Sequence, residues 1–334
     1  MSQRKMATIR RIDAIDPIKD ADAIEVATVG GWKVVVKRGE FNVGDLAVYC
    51  EIDSFIPTTI APFLTKPGHQ SKVYEGVAGE RLRTVKLRKQ LSQGLLLPYA
   101  ICGKICSPDE DVSELLGIVK YEPPMPAQLA GLAKGNFPSQ IPKTDQERVQ
   151  NLSAEVAAAS GLLFEITEKL EGSSMTCYLI NGVFGVCSRN LDLKPDEANS
   201  FWKVAIDLDI ENKMRQIGGD LDWAIQGELI GNGVQGNIYR RSDLDFYVYD
   251  IYDITIGDYI RPNIRRALVW ELGLNHVPLI ESAGSLGTVE EIILKADSKS
   301  LLDPRQDREG IVYKQVDGGM TFKAISNRYL LGEK

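Results

Sequence analysis

Residues 122–145, EPPMPAQLAGLAKGNFPSQIPKTD, carry Pro123, Pro124, Pro126, Pro138 and Pro142. Proline fixes φ and removes a backbone donor, so regular structure is not expected to continue through this stretch. It divides a chain of 334 residues into two parts, each long enough to bury its own core. The expected organisation is a first domain at 1–121, a linker at 122–143 and a second domain at 144–334.

The first part reads as strands. β-branched or alternating runs stand at 7–15, 24–31, 32–39 and 46–52, and further strands are predicted at 83–89 and 94–99. Gly30-Gly31 and Gly44-Asp45 supply turns between them. Short strands joined by glycine turns point to a small closed barrel such as an OB-fold. These runs, with KRGEFNVGDLAVY between them, look similar to OB-type tRNA-binding modules.

Beyond the prolines the pattern is mixed. A helix is predicted over 147–160, capped by Thr144 or Asp145, with others at 196–218, 261–272 and 288–295. Strands are predicted at 162–169, 175–180, 183–188, 223–230, 245–254, 310–316 and 320–325. Helices and hairpins in this order predict an α+β domain built on antiparallel sheets. No internal repeat or low-complexity segment interrupts it.

Composition narrows the function classes. The apolar share of 44% and charged share of 25% are those of a globular protein, and no apolar run approaches a membrane span. The N-terminus is basic but lacks the apolar core of a signal peptide. Five cysteines, mostly in apolar runs, are read as reduced, which predicts a cytoplasmic setting. With only His69 and His276 in the chain, Cys102 and Cys106 are not expected to hold zinc.

A net charge of −7 argues against general polyanion binding. Yet 81-RLRTVKLRK-89 gathers Arg81, Arg83, Lys86, Arg88 and Lys89 with no acid among them. It reads equally as a guarded strand edge or as a track for nucleic-acid phosphates.

The chemistry concentrates in short pieces that share a theme. In 165-EITEKLEGSS-174, Lys169 follows an apolar strand and precedes Glu171 and Gly172. The stretch 226-QGELIG-231 ends an apolar strand on Glu228 between glycines, and 308-REGIVYK-314 runs from Glu309 to Lys314. Lys323 lies between Phe322 and Ile325 in 322-FKAISNRYLL-331. Singly, each reads as an ordinary turn or strand end.

Together with 188-SRN-190 and the aromatic strand 246-FYVYDI-251, their order over about 140–331 resembles the covalent nucleotidyltransferase superfamily of DNA ligases, RNA ligases and capping enzymes. The resemblance implies that Lys169 attacks the α-phosphorus of a nucleoside triphosphate and releases pyrophosphate. An amine attacks only when unprotonated, so its pKa must be lowered by burial and nearby positive charge, including a metal ion. By family position Lys314 and Lys323 are the catalytic cations at the α-phosphate. Glu171, Glu228 and Glu309 are the candidate holders of Mg²⁺ or Mn²⁺, acting largely through its waters.

Tyr247 or Tyr249, which share a strand face, would lie over the base. Glu168 would accept from the exocyclic amine of adenine. Arg189 would lie near the ribose or the nicked end. Arg148 suits the β- or γ-phosphate, with an exposed helix arginine as the plain alternative. Two positions depart from the family pattern: Glu171 replaces the frequent aspartate, and Ile325 stands where many relatives have a second lysine, a role left to Lys314 or Arg328.

Only eleven residues follow Lys323, whereas DNA ligases and capping enzymes place an OB domain there. A β-rich module that comes first resembles a family of ATP-dependent RNA ligases that seal nicks. That resemblance implies an enzyme joining an RNA 3′-OH to a 5′-phosphate, with ATP and Mg²⁺ or Mn²⁺ as cofactors and RNA or an RNA-containing nicked duplex as partner. No protein or membrane partner is expected. The alternatives are a GTP-dependent capping-type enzyme and a non-catalytic RNA-binding protein with a decayed nucleotidyltransferase fold.

Overall fold

The computed structural model describes residues 4–122, 131–219 and 221–332. In the first part, strand Trp32–Lys37 alternates buried Trp32, Val34 and Val36 with more open neighbours. It pairs with Ile24–Val29 across Gly30-Gly31, where Gly30 has φ 55°. Ile24–Val29 in turn pairs with Ala14–Pro17. A second sheet sets Leu46–Cys50 between Ala7–Arg11 and Leu95–Pro98. A third orders Val119–Lys120, Ser54–Pro57, Val77–Arg81 and Lys72–Tyr74. Two apolar clusters fill the space between, one around Ile9, Val48 and Ile56, the other around Trp32, Tyr49 and Phe41.

The second part is α+β and mostly strand. One sheet runs Ala133–Asn136, Leu191–Leu193, Val183–Cys187, Ser173–Ile180, Trp223–Ile230, Asp245–Asp253 and Asp258–Tyr259, with Asn275–His276 added parallel to Asp245–Asp253. The other orders Leu279–Ser285, Leu163–Lys169, Gly310–Gln315 and Thr321–Ile325. Helices Ser200–Asp207, Ile210–Gly218 and Pro262–Glu271 pack on the first sheet, and Val289–Ala296 on the second.

Several expectations change. The segment 147–160 forms only a 3₁₀ turn at Val149–Asn151 and a short helix at Ser153–Ala158. Neither Thr144 nor Asp145 caps it, because Asp145 is drawn into ion pairs and Arg148 bridges to Lys323. The helix expected over 196–218 is two, broken at Asp209, whose φ is 53°. Of the expected linker, 123–130 lies outside the described residues, while Ala133–Asn136 joins the large sheet despite the prolines around it.

The two parts interlock. Gly31 N donates to Gln150 O at 3.1 Å, and Trp32 Nε1 donates to Asn151 Oδ1 at 2.7 Å. The terminal helix Asn327–Leu331 lays Leu330 on the Trp32–Tyr49 cluster, and Asn327 accepts from Gln93 at 3.2 Å.

Candidate active site

The register of the smaller sheet delivers Lys169 to the end of its strand, opposite Gly310. A Cβ on Gly310 would collide with Ala324 O, so the chain after Glu309 runs close to the neighbouring strand. Lys169 Nζ donates to Glu309 Oε2 at 2.7 Å. Burial works to lower the Lys169 pKa, but Glu309 and then Glu228 outweigh it and hold the ammonium above its ordinary value.

Glu228 comes from the larger sheet, where it faces Ser174 and Tyr247. Burial, with Glu309 adding to it, pushes its carboxyl up to about 8 against the pull of Lys169. Glu171 is raised as well, by burial and then by Glu309. It lies between two strands, next to Gly172, where a Cβ would collide with Leu229 O, and Tyr239 OH accepts from the Glu171 backbone N–H at 2.9 Å. Three carboxylates from three segments thus crowd one lysine.

Lys314 and Lys323 are each engaged by an acid of their own. Neither is among the main charges acting on Lys169; the cation that lowers its pKa is Arg189. Lys314 Nζ pairs with Asp250 at 2.6 Å, donates to Tyr249 O at 2.6 Å and stands 5.7 Å from the Tyr249 ring centre. Asp250 is held from behind by buried Arg265, which also pairs with Glu165. Lys323 Nζ pairs with Asp145 at 2.9 Å. Burial brings both lysines down to about 8.

Arg148 is no exposed helix residue. It is buried, and its guanidinium reaches across to Asp53 of the first part at 3.2 Å. Arg189 is exposed and lies 3.3 Å from Asp145. Arg328 is also exposed, and its backbone N–H donates to Asp297, while Ile325 is buried.

Leu170, Ile230, Tyr239, Tyr247 and Val277 form a buried apolar cluster, against which Tyr249 packs. Tyr249 OH is fixed by Ser174 at 3.0 Å and Thr144 at 3.1 Å. Glu168 is buried, its Oε2 accepting from Leu301 N at 2.7 Å. Its Oε1 has no hydrogen-bond partner among the described residues.

The basic stripe is not one strand. Arg81 ends Val77–Arg81, pairs with Asp53 at 2.5 Å and lies 5.0 Å from the Tyr121 ring centre, facing the cleft between the two parts. Lys86, Arg88 and Lys89 are exposed on a hairpin, Val85–Leu87 with Gln90–Ser92, and Arg83 is exposed in the chain leading into it. Its two turn residues, Arg88 and Lys89, both have positive φ.

Two residues at the site went unmarked in the sequence. Lys120 and Asp145 pair at 2.5 Å beside a cavity of about 250 Å³ that is lined by Asp53, Arg81, Lys120, Tyr121, Glu122, Arg189 and Asn190. Lys120 sits in a two-residue strand, and Asp145, which the sequence offers only as a helix cap, sits in coil.

A family model described as RNA ligase matches residues 163–325, and one described as OB-fold domain matches residues 6–99. A lysine-to-alanine variant of Naegleria gruberi RNA ligase with ATP and Mn is 43% identical, with 98% of each chain covered and a TM-score of 0.91. The RNA ligase of the same organism with PPi is 42% identical, again with 98% of each chain covered, at a TM-score of 0.89. No curated protein matches the chain. The chain belongs to the RNA ligase family, with an N-terminal OB-fold domain followed by a nucleotidyltransferase-like domain.

Proposed function

We propose that this ATP-dependent RNA ligase works through a covalent lysyl-AMP on Lys169 and seals nicks in duplexes. The observation that carries the reading is Lys169 at a strand end, paired with Glu309 and ringed by Glu228 and Glu171. Glu309, Glu228 and Glu171 raise one another's pKa values or that of Lys169, and although no three acids among the described residues are grouped to bind a metal directly, they suit a divalent cation held through its waters. Solved structures of the Naegleria ligase contain ATP and Mn or AMP and Mn, which supports Mg²⁺ or Mn²⁺ beside ATP here.

Bound there, the metal would supply positive charge that relieves Lys169 of its carboxylate field and neutralises the α-phosphate. Lys169 Nζ, having lost a proton, donates its lone pair to the α-phosphorus. The bond to the β-phosphate oxygen breaks and pyrophosphate leaves. Lys314 and Lys323 stabilise the charge that gathers on the phosphate, and Arg148 and Arg189 serve the phosphates and the nicked end. The purine lies against the face shared by Tyr247 and Tyr249, where the free Glu168 Oε1 accepts from the amine of adenine. AMP then passes to the 5′-phosphate of the nick. The RNA 3′-OH attacks that phosphorus, and AMP leaves.

The proposed units divide the work, with 144–334 for nucleotidyl transfer and 1–121 for holding the duplex through Arg83, Lys86, Arg88 and Lys89. Arg81 faces the cleft and belongs to the phosphate end. Among the described residues no helix is long and apolar enough to cross a membrane. The five cysteines are free and buried, which supports a reducing, cytoplasmic setting.

The test is sealing of a duplex nicked between an RNA 3′-OH and a 5′-phosphate, with ATP or GTP supplied in turn. Joining with ATP alone is expected. Joining with GTP would instead place the enzyme among capping-type relatives. Efficient joining of unpaired strands would remove the nick from the reading.

A further inference from the structure

Asp145 sits in coil between Pro142 and Arg148, yet cations from three separate segments converge on its carboxylate. Lys323 Nζ lies 2.9 Å from Oδ1, while Lys120 Nζ lies 2.5 Å and Arg189 Nη2 3.3 Å from Oδ2. Among the described residues the other acid touching this group is Glu122, 3.3 Å from Lys120 and 3.8 Å from Arg189. Three cations therefore share two carboxylates, and the cluster keeps a surplus positive charge. Burial works to raise the Asp145 pKa, but Lys323 and then Lys120 hold it well below the usual carboxylate range, so the group is an anion.

Donors from three segments aimed at one small anion are how a phosphate is held. Two of these cations, Lys323 and Arg189, are phosphate or nicked-end contacts in the proposed mechanism, on which this inference rests. We infer that Asp145 is a stand-in for a phosphate group, holding Lys120, Arg189 and Lys323 together until a substrate phosphate displaces it. Without an anion the three like charges would repel one another; with one they stay converged on a single point. A phosphate carries more charge and more acceptor oxygens than a carboxylate, so it wins the exchange and the Asp145 pairs break. Asp145 is about one-third exposed, and its backbone belongs to neither sheet, so its side chain can leave without disturbing a ladder.

The displacing phosphate has two possible sources, the triphosphate of the nucleotide or the 5′-phosphate of the nick. Both are separable by equilibrium binding to full-length Lys169→Ala protein, which cannot turn over, with and without Asp145→Asn. One arm uses ATP with Mn²⁺. The other compares nicked duplex ending in 5′-phosphate with the same duplex ending in 5′-hydroxyl. Removing a competing anion should tighten binding by about tenfold. Tightening for ATP assigns the site to the triphosphate; tightening for the 5′-phosphate duplex, and not its 5′-hydroxyl twin, assigns it to the nick. Unchanged or weaker binding in both arms would overturn the inference and make Asp145 a support for the lysines. Failure of ATP to bind even the Lys169→Ala parent would instead overturn the nucleotide reading beneath it.

Discussion

Lys169 is held as an ammonium by Glu309 before any substrate arrives, although the reaction needs a free amine. The resting pair thus makes adenylylation conditional on whatever cancels the carboxylate field. Glu228→Ala and Glu309→Ala should each lower the adenylylation rate by about a hundredfold, the upper range for losing an outer-shell partner. Their melting should stay close to that of the parent, since neither side chain fills an apolar core. Rate measurements beside thermal melts decide this; a variant that loses cooperative unfolding would make that glutamate structural. Lys169, Glu171, Glu228, Glu309 and Lys314 stand out in the sequence because each sits beside a glycine or at the end of an apolar run, and Lys323 because it interrupts one. Their pairings do not. Asp250 claims Lys314 and Asp145 claims Lys323 across long stretches of chain, which no local pattern encodes.

The hairpin Val85–Leu87 with Gln90–Ser92 shows the same tension in an element. Its two-residue turn puts Arg88 at φ 49° and Lys89 at φ 67°, where Asn-Gly would be favoured. For residues with a Cβ that backbone costs about 1–2 kcal/mol each. Arg88→Asn with Lys89→Gly should therefore raise stability by about 1–2 kcal/mol in denaturant melts while weakening nick binding. Stabilisation with unchanged binding would strip the tip of any role in holding the duplex. Replacing Arg83, Lys86 and Arg88 by alanine should flatten the salt dependence of duplex affinity, by about 0.9 log unit for each phosphate the variant no longer neutralises. Adenylylation of Lys169 should be little affected. Strands rich in Val, Ile and aromatic residues were readable at nearly their true bounds, as with Trp223–Ile230. The short strands Val119–Lys120 and Ala133–Asn136 were not, since neighbours rather than propensity create them.

At the scale of the whole molecule, the OB-fold domain and the catalytic domain share one seam. Arg148 crosses it to Asp53, Leu330 crosses back to the Trp32–Tyr49 cluster, and Tyr329 on the same terminal helix interacts with Glu171. Gly31 permits the close approach, because a Cβ there would lie 2.7 Å from Gln150 Cα. Gly31→Val should wedge the seam open and slow adenylylation by about a hundredfold, the effect of misplacing reacting groups by about 1 Å. An unchanged rate would mean that the first domain does not help align the triphosphate. The central claim is tested most directly by incubating the protein with ATP labelled at the α-phosphate and Mn²⁺, then locating the label by peptide mapping. An acid-labile AMP on the peptide that contains Lys169, absent from Lys169→Arg because arginine stays protonated, is the predicted result. Label on another residue, or retained by Lys169→Arg, would contradict it.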